Sequence, residues 1–272
     1  MNNQELLGII EQAAQDKATV LHLFNKELTS LPPALFELSH LEELGLSGNQ
    51  LATLSPDIAK LSKLKVLYLR GNQLTTLPPA MAQLSNLKFL YLSDNQLAAL
   101  PPQIVKLSHL EALYLDSNQL TVLPTKISKL SKLRVLILND NQLTTLPREI
   151  GKLSLLEMLY LNNNRLKVLP PEMSKLSNLK RLYLSDNKLT VLPLAFCKLS
   201  NLEKLTLFEN PLPVSGEILK AVDQPAYIFS HLTQQRLKKE LENEKQYDLI
   251  VDVIGWLLVI ATIFVMLVLP VN

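Results

Sequence analysis

Cysteine is almost missing from this 272-residue chain, with Cys197 the single example. That excludes the disulfide frameworks on which small secreted domains depend, and it agrees with a reducing compartment. No Asn-x-Ser/Thr sequon occurs, so N-glycosylation is not expected. The opening stretch MNNQELLGIIEQ has neither a basic region nor a long apolar run, and no secretory signal peptide is expected. Excess charge of either sign is also lacking. The 27 Lys and Arg residues nearly balance the 25 Asp and Glu residues, for a net charge of +2. Bulk electrostatics therefore point to neither nucleic acid nor an acidic substrate. The four histidines, His22, His40, His109 and His231, are scattered and have no metal-ligand spacing with Cys197.

What is present is a repeat. Leu41, Leu64, Leu87, Leu110, Leu133, Leu156, Leu179 and Leu202 follow one another at intervals of 23 residues with no insertion or deletion. Each opens the same phrase, such as LEALYLDSNQLTVLPTKISKLSK from Leu110. Leu113, Leu115 and Leu120 fit a short strand of alternating burial that runs into a turn. Leu123, Ile127 and Leu130 follow at spacings of four and three, one apolar stripe of a short helix or 3₁₀ turn. Pro124 stands where that turn starts, where its missing N–H costs nothing. Neither element can bury its apolar face alone, so the units must stack.

Asn49, Asn72, Asn95, Asn118, Asn141, Asn164, Asn187 and Asn210 recur in the same register. Each amide has two donors and two acceptor lone pairs. Placed where the chain turns after each strand, it is expected to hydrogen-bond backbone groups of its own and neighbouring coils, a structural rather than a binding ladder. The first repeat is degenerate, with Ala18 for the opening leucine and Lys26 for the asparagine, as terminal repeats tend to be. Residues 1–17 carry Leu6, Leu7, Ile9, Ile10, Ala13 and Ala14, the stripe of an amphipathic helix that would lid the N-terminal end. Cys197, between Phe196 and Leu199, reads as a packed thiol. Asp94, Asp140 and Asp186 recur through the repeat and read as strand-end surface residues rather than acid–base pairs.

The consensus LxxLxLxxNxLxxLPxxIxxLxxL resembles the leucine-rich repeats of the Roco, Ras-suppressor and Scribble/erbin families and of many bacterial proteins. The resemblance spans roughly residues 18–213. It implies an α/β solenoid: a right-handed leucine-rich repeat horseshoe with a parallel β-sheet on its concave face and helical caps, which binds other proteins. Gly151-Lys152 is followed by Leu153 and lacks the upstream glycine of a phosphate loop, so the nucleotide-binding domain of Roco proteins is not expected. Catalytic residues, cofactor sites, metal sites and a small-molecule substrate are none of them expected, and the chain reads as a non-enzyme. The expected organisation is a capping helix over 1–17, a solenoid over 18–213 with eight full repeats and a partial ninth, a helical cap and stalk over 214–247, and a membrane segment over 248–271. The stretch NPLPVSGEILKAVDQPAYIFSHL is similar to the C-terminal caps of such arrays, with Ile218, Leu219 and Val222 closing the core and Ile228 and Leu232 on a helix after Pro225.

The membrane segment has its core at 253–271, VIGWLLVIATIFVMLVLPV, 19 residues without a charge. At about 1.5 Å per residue these span about 28 Å, close to the roughly 30 Å hydrocarbon core of a bilayer. Thirteen of them are Leu, Ile, Val or Phe. At about −0.3 to −0.6 kcal/mol each, those contribute roughly −4 to −8 kcal/mol of insertion free energy. Arg236, Lys238, Lys239 and Lys245 precede the run and no Lys or Arg follows it. A single-pass C-terminal anchor that leaves the solenoid in the cytoplasm is therefore expected.

Between the leucines of each strand, alternate residues should point to the concave face. One such row contains Tyr68, Tyr91, Tyr114, Ile137, Tyr160 and Tyr183, five of the seven tyrosines. Beside it run Val66, Phe89, Ala112, Val135 and Met158, and on the other side Arg70, Ser93, Asp116, Asn139, Asn162 and Ser185. An aromatic patch with a polar border marks a binding site, and tyrosine is enriched at interface hot spots. Tyr68, Phe89, Tyr91, Tyr114, Met158, Tyr160 and Tyr183 are the expected partner-binding residues. Stacking between strands is a second, compatible role. Lys60, Lys106, Lys129, Lys152, Lys175 and Lys198 form a row on the opposite side that reads as a solubilising face. The expected function is a membrane-anchored, cytosol-facing scaffold that binds a protein on its concave face. The alternative is a regulator of intracellular signal transduction in a small GTPase or kinase pathway, as the Ras-suppressor resemblance implies.

Overall fold

The computed structural model describes residues 1–242. The chain divides into two compact units, Met1–Phe229 and Ser230–Asn272. In the first unit every repeat supplies one three-residue strand. These are β1 (Val20–His22), β2 (Glu43–Gly45), β3 (Val66–Tyr68), β4 (Phe89–Tyr91), β5 (Ala112–Tyr114), β6 (Val135–Ile137), β7 (Met158–Tyr160), β8 (Arg181–Tyr183) and β9 (Lys204–Thr206). They pair in chain order as one parallel sheet. The register advances by 23 residues at every step, as in Tyr91 opposite Tyr114 and Leu113 opposite Leu136. An insertion-free repeat leaves no other register, because a slip by one residue would turn each buried leucine outward.

Opposite the sheet lie short 3₁₀ turns, from Pro33–Glu37 in the first repeat to Leu194–Lys198 in the eighth. Several begin at a proline, and Ser55, which stands where the other repeats have the proline of Leu-Pro, accepts the Asp57 amide at 3.2 Å through its hydroxyl. Between the two layers the core is a column of fully buried leucines. Leu67, Leu90, Leu113, Leu136, Leu159 and Leu182 form the strand row, and Ile58, Met81, Ile104, Ile127, Ile150 and Met173 face it from the 3₁₀ turns.

The ends are closed by different means. At the N-terminus α1 (Asn3–Gln15) opens with a capping box: Glu5 N donates to Asn2 Oδ1 at 2.8 Å, and Asn2 N donates to Glu5 Oε2 at 3.1 Å. Only Leu6, Ile10 and Ala13 of its apolar residues are buried. Leu7, Ile9 and Ala14, expected in the same stripe, face outward, because spacings of four and three from Leu6 select one face and those three fall off it. At the other end Leu205 N of β9 donates to Val222 O at 2.8 Å, which covers part of the last strand's edge. The short helix α2 (Gly216–Leu219) buries Leu219. Residues 225–229 are helical, with Ile228 and Phe229 buried, and the Phe229 ring meets that of Phe196 edge-on at 6.5 Å.

The described part of the second unit, 230–242, is helical and polar, with Arg236 bridged to Glu240 at 2.9 Å. No helix among the described residues is long and apolar enough to cross a membrane. The expected membrane segment over 248–271 and the last residues of the expected stalk lie outside the described residues.

Candidate binding face

The asparagine ladder holds the floor of the face in place. Asn118 is buried, and its Nδ2 donates to Leu92 O at 3.0 Å, Leu115 O at 3.1 Å and Asp116 O at 3.2 Å. Its Oδ1 accepts the Leu97 amide at 3.0 Å. Asn72, Asn95, Asn141, Asn164, Asn187 and Asn210 make the same set one repeat apart. Asn49 accepts from both Lys26 N and Leu28 N, so the degenerate first repeat is satisfied from the second. The residue before each asparagine has a positive φ: +70° at Gly48, +63° at Gly71, and 52–56° at Asp94, Ser117, Asp140, Asn163, Asp186 and Glu209. Left-handed backbone favours Gly, Asn and Asp. The recurring aspartates are therefore backbone-shaping residues as well as surface ones, a signal that the run Gly, Gly, Asp, Ser, Asp, Asn, Asp, Glu carried in the sequence.

Above that floor the tyrosines form two stacks. The Tyr68 and Tyr91 rings lie 4.6 Å apart at 16°, Tyr91 and Tyr114 lie 4.5 Å apart at 13°, and Tyr160 and Tyr183 lie 4.3 Å apart at 18°. All five are half-buried. The stacks are separated at Ile137. Within a stack the faces cover one another, so ring edges are what the solvent meets. Burial raises the Tyr68, Tyr91 and Tyr183 hydroxyls above the usual tyrosine range, and a neighbouring phenol adds to the shift at Tyr91 and Tyr183. Phe89 is half-buried two residues from Tyr91 on the same strand; Met158 is half-buried beside Tyr160. Neither belongs to a stack.

His22 and Gly45 stand in the tyrosine column's own register, as the repeat spacing predicts, and one residue that the sequence did not single out, Phe24, joins His22 in extending the aromatic row toward the N-terminus. Phe24 meets His22 at 4.7 Å and Tyr68 at 5.8 Å, the latter edge-on. Its ring fills the space that Gly45 leaves, since a Cβ on Gly45 would stand 2.4 Å from Phe24 Cζ. The glycine in the tyrosine column was the available clue. His22 Nε2 lies 2.7 Å from Glu43 Oε1 at the same end.

Several charges beside the face are arranged in pairs. Lys65 reaches Glu42 at 2.6 Å, Lys88 reaches Glu111 at 3.3 Å, and Glu157 takes both Lys180, at 2.8 Å, and Arg134. Arg70 Nε donates to Asp94 Oδ2 at 2.7 Å. On the far side Lys106, Lys129, Lys152, Lys175 and Lys198 are exposed, and Lys60 is bridged to Glu37 at 2.9 Å and Asp57 at 3.7 Å. Cys197, expected to be packed, is exposed. In the 3₁₀ turn Leu194–Lys198 the inward position belongs to Phe196, and the next residue is carried round to the solvent. Among the described residues no group of three or more His, Cys, Asp and Glu could hold a metal ion.

A stacked parallel sheet with an unpartnered aromatic face defines a repeat protein that presents a surface. The family is fixed by comparison. Residues 125–224 match the leucine-rich repeat region family, residues 39–97 the leucine rich repeat family, and residues 85–132 the family of leucine rich repeats in two copies. The chain is a leucine-rich repeat protein. Among solved structures it is similar to a leucine-rich repeat protein of Leptospira interrogans, LIC12759, at 35% identity and a TM-score of 0.68 over 75% of this chain and 59% of that one. It is also similar to a TDR receptor, at 31% identity and a TM-score of 0.69 over 76% of this chain and 37% of that one. A third is the plant peptide hormone receptor RGFR1 in complex with RGF2, at 28% identity and a TM-score of 0.55 over 67% of this chain and 34% of that one. The chain thus spans less than two thirds of each of these structures. No match is found among curated proteins.

Proposed function

We propose that this leucine-rich repeat protein is a membrane-anchored scaffold that faces the cytosol and binds another protein on its concave sheet face. One observation carries the reading. The tyrosine edges of β3–β5 and β7–β8 are half-exposed in two stacks of one column, with apolar residues on one side and polar residues on the other. A half-exposed aromatic row with a polar rim is the composition of an interface core. Phe89 and Met158 widen its apolar side. The solved structures that resemble the chain include a plant peptide hormone receptor in complex with RGF2, which agrees with a protein or peptide ligand. The uncharged run over 253–271 supports the anchor, and the lack of disulfide-forming cysteines and sequons supports a cytosolic repeat unit.

The test is proximity labelling in the native cell, followed by affinity measurement for the protein recovered. Tyr68→Ala with Tyr91→Ala should weaken binding by about 2 kcal/mol or more, the cost typical of central interface anchors. Lys129→Glu with Lys152→Glu, on the far side, should leave it unchanged. Loss in the lysine variant with full binding by the tyrosine variant would move the functional face to the convex side.

A further inference from the structure

The lysine row opposite the sheet changes character along the chain. In the first three 3₁₀ turns, Pro33–Glu37, Pro56–Lys60 and Pro79–Gln83, the single lysine is Lys60, and it is bridged to Glu37 at 2.9 Å and Asp57 at 3.7 Å. From the fourth repeat onward the pairing stops. Lys106, Lys126, Lys129, Lys152, Lys175 and Lys198 are exposed, and among the described residues none of them has an ion-pair partner. One further cation in these turns, Arg148, is bridged to Glu149 at 3.2 Å, which leaves Glu172 as the lone carboxylate against the six lysines. The whole chain carries a net charge of only +2, so positive charge is segregated onto this side rather than spread through the sequence. A row of one sign repels itself, and solubility is served as well by mixed charges.

Apolar side chains lie among these cations. Val122, Val168 and Val191 share one repeat position and are exposed, as is Leu194, in the same turn as Lys198. The fifth turn is short, Ile127–Lys129, between the five-residue turns Pro102–Lys106 and Arg148–Lys152. An open groove of about 320 Å³ lies there, lined by Ala99, Leu100, Pro102, Val122, Pro124 and Lys126. An exposed valine and an unpaired lysine thus border the same groove. Aliphatic side chains beside unpaired cations suit an anionic bilayer surface, where headgroups attract the charge and the aliphatics enter the interface. Nucleic acid is a poorer match. Phe196, the one aromatic residue of these turns, is buried, so no ring is offered to a base. Arg148 is engaged by Glu149, so no guanidinium fork in these turns is free for bidentate phosphate contact.

We propose that the side formed by the 3₁₀ turns of the fourth to eighth repeats is a docking surface for the anionic phospholipid headgroups of a bilayer, held by the six unpaired lysines with Val122 and the groove beside it at the interface. This contact is additional to the proposed anchor and does not depend on it. Cys197, the only cysteine of the chain, is exposed next to Lys198 and serves as the reporter. The full chain carrying Ile260→Asp and Ile263→Asp, changes that oppose insertion, is labelled there with an environment-sensitive fluorophore. It is titrated with vesicles of phosphatidylcholine and phosphatidylserine mixed about three to one, and with phosphatidylcholine alone. Emission should shift to the blue, with binding at least about tenfold tighter on the anionic vesicles. Binding should be lost in about 1 M salt, where the screening length falls to about 3 Å. Lys129→Glu with Lys152→Glu should weaken it at least about tenfold with an unchanged thermal melt. Lys129→Gln with Lys152→Gln, which removes charge without reversing it, should weaken it by a smaller factor. Lys238→Glu with Lys239→Glu, in the polar helix, should leave it unchanged. Equal binding to both vesicles, binding without a shift at Cys197, loss through the Lys238 and Lys239 changes instead, or tighter binding of a short RNA duplex overturns the proposal. Carbonate extraction of the wild-type chain reads the anchor separately, so either reading can fail while the other stands.

Discussion

Asn118 Oδ1 accepts the amide of Leu97 at 3.0 Å across 21 residues of chain, so one side chain ties two coils together. The same amide group donates to three carbonyls, and Asn118 is buried. Asn118→Ala leaves those backbone groups without partners at a site that water does not reach. Each orphaned group costs about 1–3 kcal/mol, and some relaxation into neighbouring bonds is expected. The variant should therefore lose about 1–3 kcal/mol of unfolding free energy in a denaturant titration. Lys129→Ala, in the exposed lysine row, should change it by less than about 0.5 kcal/mol. Equal midpoints for the two would remove the structural role of the ladder.

The strands, the asparagines and the tyrosine column were legible because a gapless 23-residue period fixes every inward and outward position at once. What escaped had causes outside the period. Phe24 joins the aromatic row only because Gly45, in the following repeat, has no side chain, and that is a contact between repeats rather than a motif within one. Cys197 was placed inward by its apolar neighbours, yet a 3₁₀ turn admits one inward residue there and Phe196 takes it. The tyrosines were expected to offer an aromatic surface. Stacking at 13–18° hides most of their faces, so ring edges are what the sheet face presents.

Two glycines should respond in opposite ways to the same substitution. A Cβ on Gly151 would stand 2.1 Å from the Glu172 carbonyl oxygen, a backbone atom of the next coil that cannot swing aside. Gly151→Ala must push two coils apart, and overpacking of this kind costs about 1–3 kcal/mol. Gly8 lies within α1, is exposed, and has nothing within 4 Å of an added Cβ. Gly8→Ala should stabilise by roughly 0.5–1 kcal/mol through helix propensity. Thermal melts of the two variants should shift to opposite sides of the wild type.

Glu157 should contribute a small, pH-dependent term. Its carboxyl is held below the usual carboxylate range, chiefly by the hydrogen bond from Lys180 and next by that from Arg134. A depressed folded-state value means that the stabilisation is present above the unfolded value of about 4.3 and is lost as pH falls through the folded one. Both partners are largely exposed, so the term stays within the surface ion-pair range. At pH 7 Glu157→Gln should cost up to about 1 kcal/mol. The difference from wild type should close below about pH 4 and shrink in high salt. A gap that persisted at pH 2 would assign the effect to packing instead.

The proposed membrane anchor makes a quantitative prediction that needs no partner. The run over 253–271 supplies roughly −4 to −8 kcal/mol toward insertion from its Leu, Ile, Val and Phe residues. Alkaline carbonate should leave the full chain in the membrane pellet. An arginine near the middle of a span costs about 2.5–3.5 kcal/mol and also removes the contribution of the residue it replaces. Ile260→Arg with Ile263→Arg together therefore cost roughly 6–8 kcal/mol, enough to cancel the whole drive. That double variant should move to the carbonate supernatant, while Ile260→Leu with Ile263→Leu should remain in the pellet. Release of the wild-type chain by carbonate, or retention of the double arginine variant, would count against a spanning helix and leave the repeat unit without its proposed tether.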